Sequence, residues 1–249
     1  FRRVLFRSTE IFSYVRNPDK ETVLTPWRVV NMHMSDTIGG WCFFDETFDE
    51  KNGQIDKPRF IDQGDVTQEL FNSVDDGGEV QTKILEINSK TGLYPLYVTY
   101  SLYRRRLEEY VRAERIAPET ISVQEEQVVW DDIVADNMFV ICNTPMAAGI
   151  TRRTLFGFRQ VEKKANIKAE KLVEKASDNQ DELVKELKSL GFWKGTTSKE
   201  MIKFSAVVGN PPYQEVNEGN GNGANPVYHL FIDVASQLSV YGTMIHPAR

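Results

Sequence analysis

The 249 residues, 41% of them hydrophobic, suffice to bury one α/β core, and no apolar run approaches the ~20 residues of a membrane span. A formal net charge of −6 excludes a uniformly basic surface, so any nucleic-acid contact must come from local clustering. Cys42 and Cys142 stand far apart and give neither a zinc site nor a disulfide framework; a reducing cytoplasm is the default compartment.

The first eight residues, Phe1-Arg2-Arg3-Val4-Leu5-Phe6-Arg7-Ser8, are basic, carry no initiating Met and lack the apolar stretch of a signal peptide. They are set aside as a candidate non-native remnant, leaving 9–249 as the domain. Residues 9–22 are mixed and uninformative. A helix is expected from Thr25 as N-cap and Pro26 at the first helical position, with Val29, Val30 and Met34 as its buried stripe. His33 has no second ligand near it in sequence, which favours packing over metal binding. Residues 36–48 suggest a turn and packed loop, and the acidic run 49–79 a connection.

Residues 82–87 predict a strand that opens into Asn88-Ser89-Lys90-Thr91-Gly92 and then a helix, with Leu96, Tyr97, Tyr100, Leu107 and Val111 apolar and Arg104-Arg105-Arg106 on the solvated side. Strand, tight turn and helix in succession are how a Rossmann-like sheet presents a cofactor edge. Ser-Lys-Thr is no Walker A loop, because the preceding glycine spacing is absent. A linker or short helix start covers 118–127, a helix 130–137 and a buried strand 138–142. Asn143-Thr144-Pro145 then turns into a helix containing Ile150 and Leu155. The Lys/Glu-rich segment 158–191 has helical spacing at Leu183, Val184, Leu187 and Leu190 and is expected as an inserted helical hairpin ended by Gly191, with Phe192-Trp193 on the sheet edge.

The apolar run 204–208 suits a strand buried on both faces of a parallel sheet. It must stop at Asn210, since Pro211 has no N–H and pushes its predecessor into an extended conformation. Asn210, Pro211, Pro212 and Tyr213 therefore form a stiff corner at the carboxyl end of a strand, where open α/β sheets place ligands. The Asn210 side-chain oxygen and the Pro211 carbonyl are two acceptors that can hold the N–H bonds of a poorly nucleophilic aromatic amine, and Tyr213 can stack on its ring. Without the preceding strand and glycine, a proline turn closing a core strand with a packing tyrosine would be the preferred reading. Residues 214–225 are Gly/Asn-rich, either a lid or a plain connection. A helix (226–238) and a strand (241–245) follow, placing His246 and Arg249 at another strand end.

The Asn210-Pro211-Pro212-Tyr213 stretch resembles the catalytic motif of the amino-methyltransferases that use S-adenosylmethionine, most often adenine-specific DNA methylases of restriction–modification systems. The resemblance runs from about Leu24 to Arg249. It implies a Rossmann-like, mostly parallel sheet with helices on both faces, S-adenosyl-L-methionine as methyl donor, no metal, and double-stranded DNA with a flipped adenine as substrate. Restriction subunits or a fused nuclease are implied as further partners, and a target-recognition part would lie outside this chain. By the same resemblance Thr25 and Pro26 help hold the methionine end of the cofactor, and 86–92 stand where the first cofactor motif lies. Glu86 takes that motif's acidic place and Gly92 its last glycine, beside Asn88, Ser89, Lys90 and Thr91. Ile87 replaces the usual Pro and Lys90 the first glycine. Asn143 and Thr144 occupy the ribose-binding region, which lacks its usual acid. Two other outcomes remain open on the sequence alone: methylation of another amine, such as a protein glutamine or an RNA base, and a non-catalytic cofactor-fold module.

Overall fold

The computed structural model describes residues 24–42, 61–62, 82–117, 120–214 and 225–246. The expected N-terminal remnant, all of the acidic connection but β-stranded residues 61–62, most of the loop after Tyr213, and Arg249 lie outside these residues. Chain order is α1 (Trp27–Thr37), β1 (Trp41–Cys42), β2 (Ile61–Asp62), β3 (Ile84–Ile87), α2 (Leu93–Glu114), α3 (Val123–Asp136), β4 (Met138–Cys142), α4 (Pro145–Phe156) and β5 (Asn166–Ala169). Then come α5 (Leu172–Asp178), α6 (Gln180–Lys188), α7 (Leu190–Lys194), β6 (Ala206–Gly209), α8 (Tyr228–Leu238) and β7 (Tyr241–Met244).

Five strands form one all-parallel sheet in the order β5-β4-β3-β6-β7, and β1 pairs antiparallel with β2. Strands β3, β4 and β6 are buried at every residue, which their near-continuous apolar sequences require. Alternate side chains leave the sheet on opposite faces. Ile84, Val140, Cys142 and Val208 pack with Val30, Met34, Tyr97 and Trp130 from α1, α2 and α3. Leu85, Ile87, Phe139 and Val207 pack instead with Leu172, Leu187, Trp193 and Phe231 from α5 to α8. The result is a three-layer α/β/α sandwich, the Rossmann-like methyltransferase fold. Its strand order reverses between β3 and β6, so the carboxyl ends of those two strands border the crevice.

Several local expectations change. Segment 158–191 is not simply an inserted hairpin. Its helical pair exists as α5 and α6, but β5 precedes them and completes the sheet in parallel with β4. Asn166 belongs there because its side-chain amide donates to the carbonyls of Ala135 and Met138. Gly191 lies inside α7 rather than ending a helix, and Trp193 sits edge-on to Phe139 at 5.3 Å, on the sheet face. Helix α3 begins earlier than expected because Ser122 and Glu125 form a reciprocal capping box. In α1, Pro26 occupies the N-cap position without a side-chain cap, and Thr25 stands outside the helix. Val29 faces solvent at 41% exposure, while Val30 and Met34 are buried.

Candidate active site

β6 ends at Gly209, whose φ of +145° lies in a region that L side chains rarely adopt. A Cβ there would stand 2.4 Å from the Ile87 carbonyl oxygen, so only glycine lets β6 run this close to β3. The Gly209 carbonyl accepts from the Ile245 N–H, which ties the corner to β7. Asn210 follows, 5% exposed, and it is held at two points. Its side-chain nitrogen donates to Thr25 Oγ1 at 2.9 Å, and its main-chain oxygen accepts from the Asn88 amide at 2.8 Å. Its side-chain oxygen, Oδ1, is buried with no hydrogen-bond partner. Thr25, expected as a cap, has its hydroxyl oxygen occupied by this bond.

Pro211 is buried, and Pro212 and Tyr213 are half-buried. Burial raises the Tyr213 pKa, and a hydrogen bond from Asn210 partly offsets that shift. The main chain of Tyr213 accepts from the Val227 N–H at 2.9 Å, and Gln214 bridges to Pro226, so the two ends of 214–226 meet beside the site.

The facing wall is the turn after β3. Asn88 takes φ +65°, a left-handed conformation that asparagine tolerates better than most residues. That conformation accompanies the amide bond to Asn210. Ser89 continues the ladder through its N–H to Ile141 and meets Thr151 Oγ1 at 3.0 Å. Thr154 donates to the Thr91 carbonyl at 2.6 Å, and Gly92, at φ +75°, lies so close to α4 that a Cβ would stand 3.0 Å from Thr151 Cα. The turn is thus fixed by α4 rather than by a glycine-rich sequence.

Thr25, Val30, Glu86, Asn88, Lys90, Thr91, Leu93, Tyr94 and Asn210 line one narrow cleft of about 10 Å³ that opens to solvent, far below the ~300–1,000 Å³ usual for small-molecule sites. Glu86 is 3% exposed, and its Oε2 has no partner. Burial pushes its carboxyl up to about 8, against the opposing pull of Ser89 and Lys90, so the acid is largely neutral near pH 7.

Sequence reasoning missed Val30, Leu93 and Tyr94 as lining residues. Tyr94 is buried, and its hydroxyl meets His33 Nδ1 at 2.9 Å, while His33 Nε2 meets Thr243 Oγ1 at 2.6 Å. Burial lowers the His33 pKa, with Asp36 opposing, and burial together with the Glu86 charge raises that of Tyr94. His33 is therefore a bridge between α1, α2 and β7. No group of three metal-ligating side chains occurs among the described residues.

Other sequence-selected residues lie apart from the cleft lining. Pro26 precedes α1. Thr144 caps α4, accepting from the Ala147 N–H at 3.2 Å, and Asn143 is exposed at the end of β4. Ser89 is fully buried behind the turn. Cys142 is buried against Thr151, and burial pushes its thiol up to about 12, as suits packing rather than reactivity. His246 stacks on Tyr228 at 6.0 Å.

Residues 136–249 match the family model of the Eco57I restriction-modification methylase. That span runs from the end of α3 through β7 and includes the Asn210 corner. The Eco57I match leaves α1 and the β3 turn outside it. No curated protein matches the sequence. Among solved structures, the chain aligns with the ATP-dependent Type ISP restriction-modification enzyme LlaBIII bound to DNA. Identity is 11% and the TM-score 0.36, over 85% of this chain and 12% of that one.

Proposed function

We propose that this chain transfers a methyl group from S-adenosyl-L-methionine to the exocyclic amino group of adenine in DNA, within a restriction–modification system. The observation that carries this reading is Asn210. Its nitrogen and its carbonyl are both fixed by the protein, while its buried Oδ1 stays unpartnered in the wall of the cleft. Leaving a buried acceptor unsatisfied costs ~1–3 kcal/mol unless a ligand supplies the donor. An amine N–H is such a donor. The Eco57I match supports methyl transfer as the reaction.

The cleft suits the proposed donor at the level of chemistry. It lies at the switch point of a parallel sheet and carries a cation, a buried carboxyl, hydroxyls and an apolar floor. Glu86, Asn88, Lys90 and Thr91 would hold the donor from the β3 side, with Thr25 opposite. S-adenosylmethionine supplies an electrophilic sulfonium methyl when bound. Asn210 Oδ1 and the Pro211 carbonyl accept the two N–H bonds of the adenine amine and favour a tetrahedral nitrogen with its lone pair directed outward. Because Thr25 and Asn88 set Asn210 beforehand, little reorganisation is needed at reaction. Tyr213 stacks on the base, contributing ~1–3 kcal/mol, and the base reaches it by leaving the duplex at a cost of a few kcal/mol. The amine proton passes to water after transfer, so no strong base is required.

The test incubates the protein and labelled S-adenosylmethionine with unmethylated genomic DNA, then digests the DNA to nucleosides for mass spectrometry. Label should appear in N6-methyldeoxyadenosine, and Asn210→Ala should slow its formation ~100–1,000-fold, the loss typical of one preorganised polar group. Label recovered only in RNA or in protein glutamine, or an Asn210→Ala variant of undiminished rate, would overturn the reading.

A further inference from the structure

His33, half-buried on α1, is a titratable side chain for which methyl transfer as described above has no use. Both of its ring nitrogens are engaged, Nδ1 with the Tyr94 hydroxyl at 2.9 Å and Nε2 with Thr243 Oγ1 at 2.6 Å. The ring stands edge-on to that of Tyr94, with 5.8 Å between centroids and 87° between planes. Burial holds the imidazole neutral against the pull of Asp36. A neutral imidazole has one N–H and one bare nitrogen, so His33 gives a proton to one hydroxyl and takes one from the other. Tyr94 itself is 3% exposed and shares the cleft wall with Glu86 and Asn210. Its phenol lies within electrostatic reach of Glu86 on the β3 side and of Tyr213 on the β6 corner. Tyr94 thus stands between the residues assigned to the donor and the residue assigned to the base.

We infer that His33 is a positioning residue for methyl transfer, holding the Tyr94 hydroxyl so that the Tyr94 ring forms a fixed wall between donor and base. This assignment rests on the methyl-transfer reading above. Packing alone leaves a phenol ring free to tilt about its broad second torsion, and a bond to the hydroxyl at its far end removes that freedom. The wall matters because transfer needs the reacting atoms about 3–3.5 Å apart and aligned, and a misplacement of ~1 Å can cost ~100-fold. His33 touches neither reactant. Its effect belongs to turnover rather than to donor affinity.

Steady-state methylation of genomic DNA, with S-adenosylmethionine varied, tests this on wild type, Tyr94→Phe, His33→Asn, His33→Gln and the combined His33→Gln, Tyr94→Phe variant. An asparagine amide reaches the place of Nδ1 and a glutamine amide that of Nε2. His33→Asn therefore keeps the Tyr94 bond, and His33→Gln keeps the Thr243 bond. In Tyr94→Phe and His33→Gln, kcat should fall ~10-fold with the donor KM within about twofold, the pattern of a contribution made only in the transition state. His33→Asn should recover most of the wild-type rate, and the combined variant should be no slower than Tyr94→Phe, because His33 acts through that hydroxyl. Rates are scaled to the folded fraction by thermal melts, so unequal stability cannot produce the split. If the two His33 variants slow alike, if neither slows, or if the combined variant multiplies the single losses, the positioning role is overturned, while turnover by wild type keeps the methyl-transfer reading. Wild type that transfers no methyl group would overturn both.

Discussion

Two parallel strands, β6 and β4, end at the same edge of the sheet and both continue into turns that open with Asn and contain Pro, yet they use their polar groups differently. After β4, Thr144 is committed to capping α4, and Asn143 points to water. After β6, Asn210 is buried and immobilised by Thr25 and Asn88, with one acceptor left over. Similar residue types therefore serve the chain in one place and leave a buried acceptor open in the other. What separates them is burial without satisfaction.

The largest break in this comparison should come from Gly209→Ala. The added methyl meets the Ile87 carbonyl in a backbone conformation already unfavourable for alanine, so destabilisation of about 3 kcal/mol or more is expected in urea unfolding. A loss below about 1 kcal/mol would mean that the corner relaxes easily and is not rigidly set.

Next comes pH. The Glu86 pKa rises from 4.5 to about 8 on folding, so the folded protein keeps a proton that the unfolded chain releases between those values. Its stabilising contribution is complete below about pH 4.5 and is lost as pH rises through about 8. Glu86→Gln cannot titrate. Between about pH 6 and pH 9 its urea midpoint should fall less than that of wild type. Equal slopes would mean that Glu86 is ionised in the fold and paired with Lys90.

Smaller effects test the clamp itself. Thr25→Val removes the acceptor for the Asn210 amide, and methyl transfer should fall about tenfold, equivalent to ~1.4 kcal/mol. Asn88→Gly keeps the left-handed backbone but loses the amide and should show a similar loss; a full-rate Asn88→Gly enzyme would show that the carbonyl bond is dispensable. At the β4 end, Thr144→Ala should cost ~1 kcal/mol of stability through the lost cap and leave donor affinity unchanged. Weakened donor binding there would instead give that strand end a ligand contact in addition to its cap.

How much of this could be inferred from sequence depended on whether a residue's role was local. Strands β3, β4 and β6 were legible because burial on both faces demands unbroken apolar runs such as Met138-Phe139-Val140-Ile141-Cys142. The Asn210 corner was legible because proline chemistry ends a strand by itself. β5 was not. Asn-Ile-Lys-Ala is a short edge strand whose buried asparagine donates its amide to carbonyls 28 and 31 residues away. Thr25 looked like a cap because Thr-Pro usually is one, and its partner lies 185 residues on. The His33 bridge joins positions 61 and 210 residues apart, a pairing that no spacing rule could supply.

The Thr25–Asn210 bond also has a consequence in time. At synthesis rates of ~5–20 residues per second, roughly 10–40 s separate the appearance of Thr25 from that of Asn210, a gap of 185 residues. The β3 turn emerges between them, and its Asn88 also waits, 122 residues ahead of the carbonyl it holds. A nascent chain can complete most of the sheet before its Asn210 corner exists. The amide is set only when the segment before the first described helix and the fourth sheet strand in chain order meet, so the Asn210 corner is among the last features that folding produces.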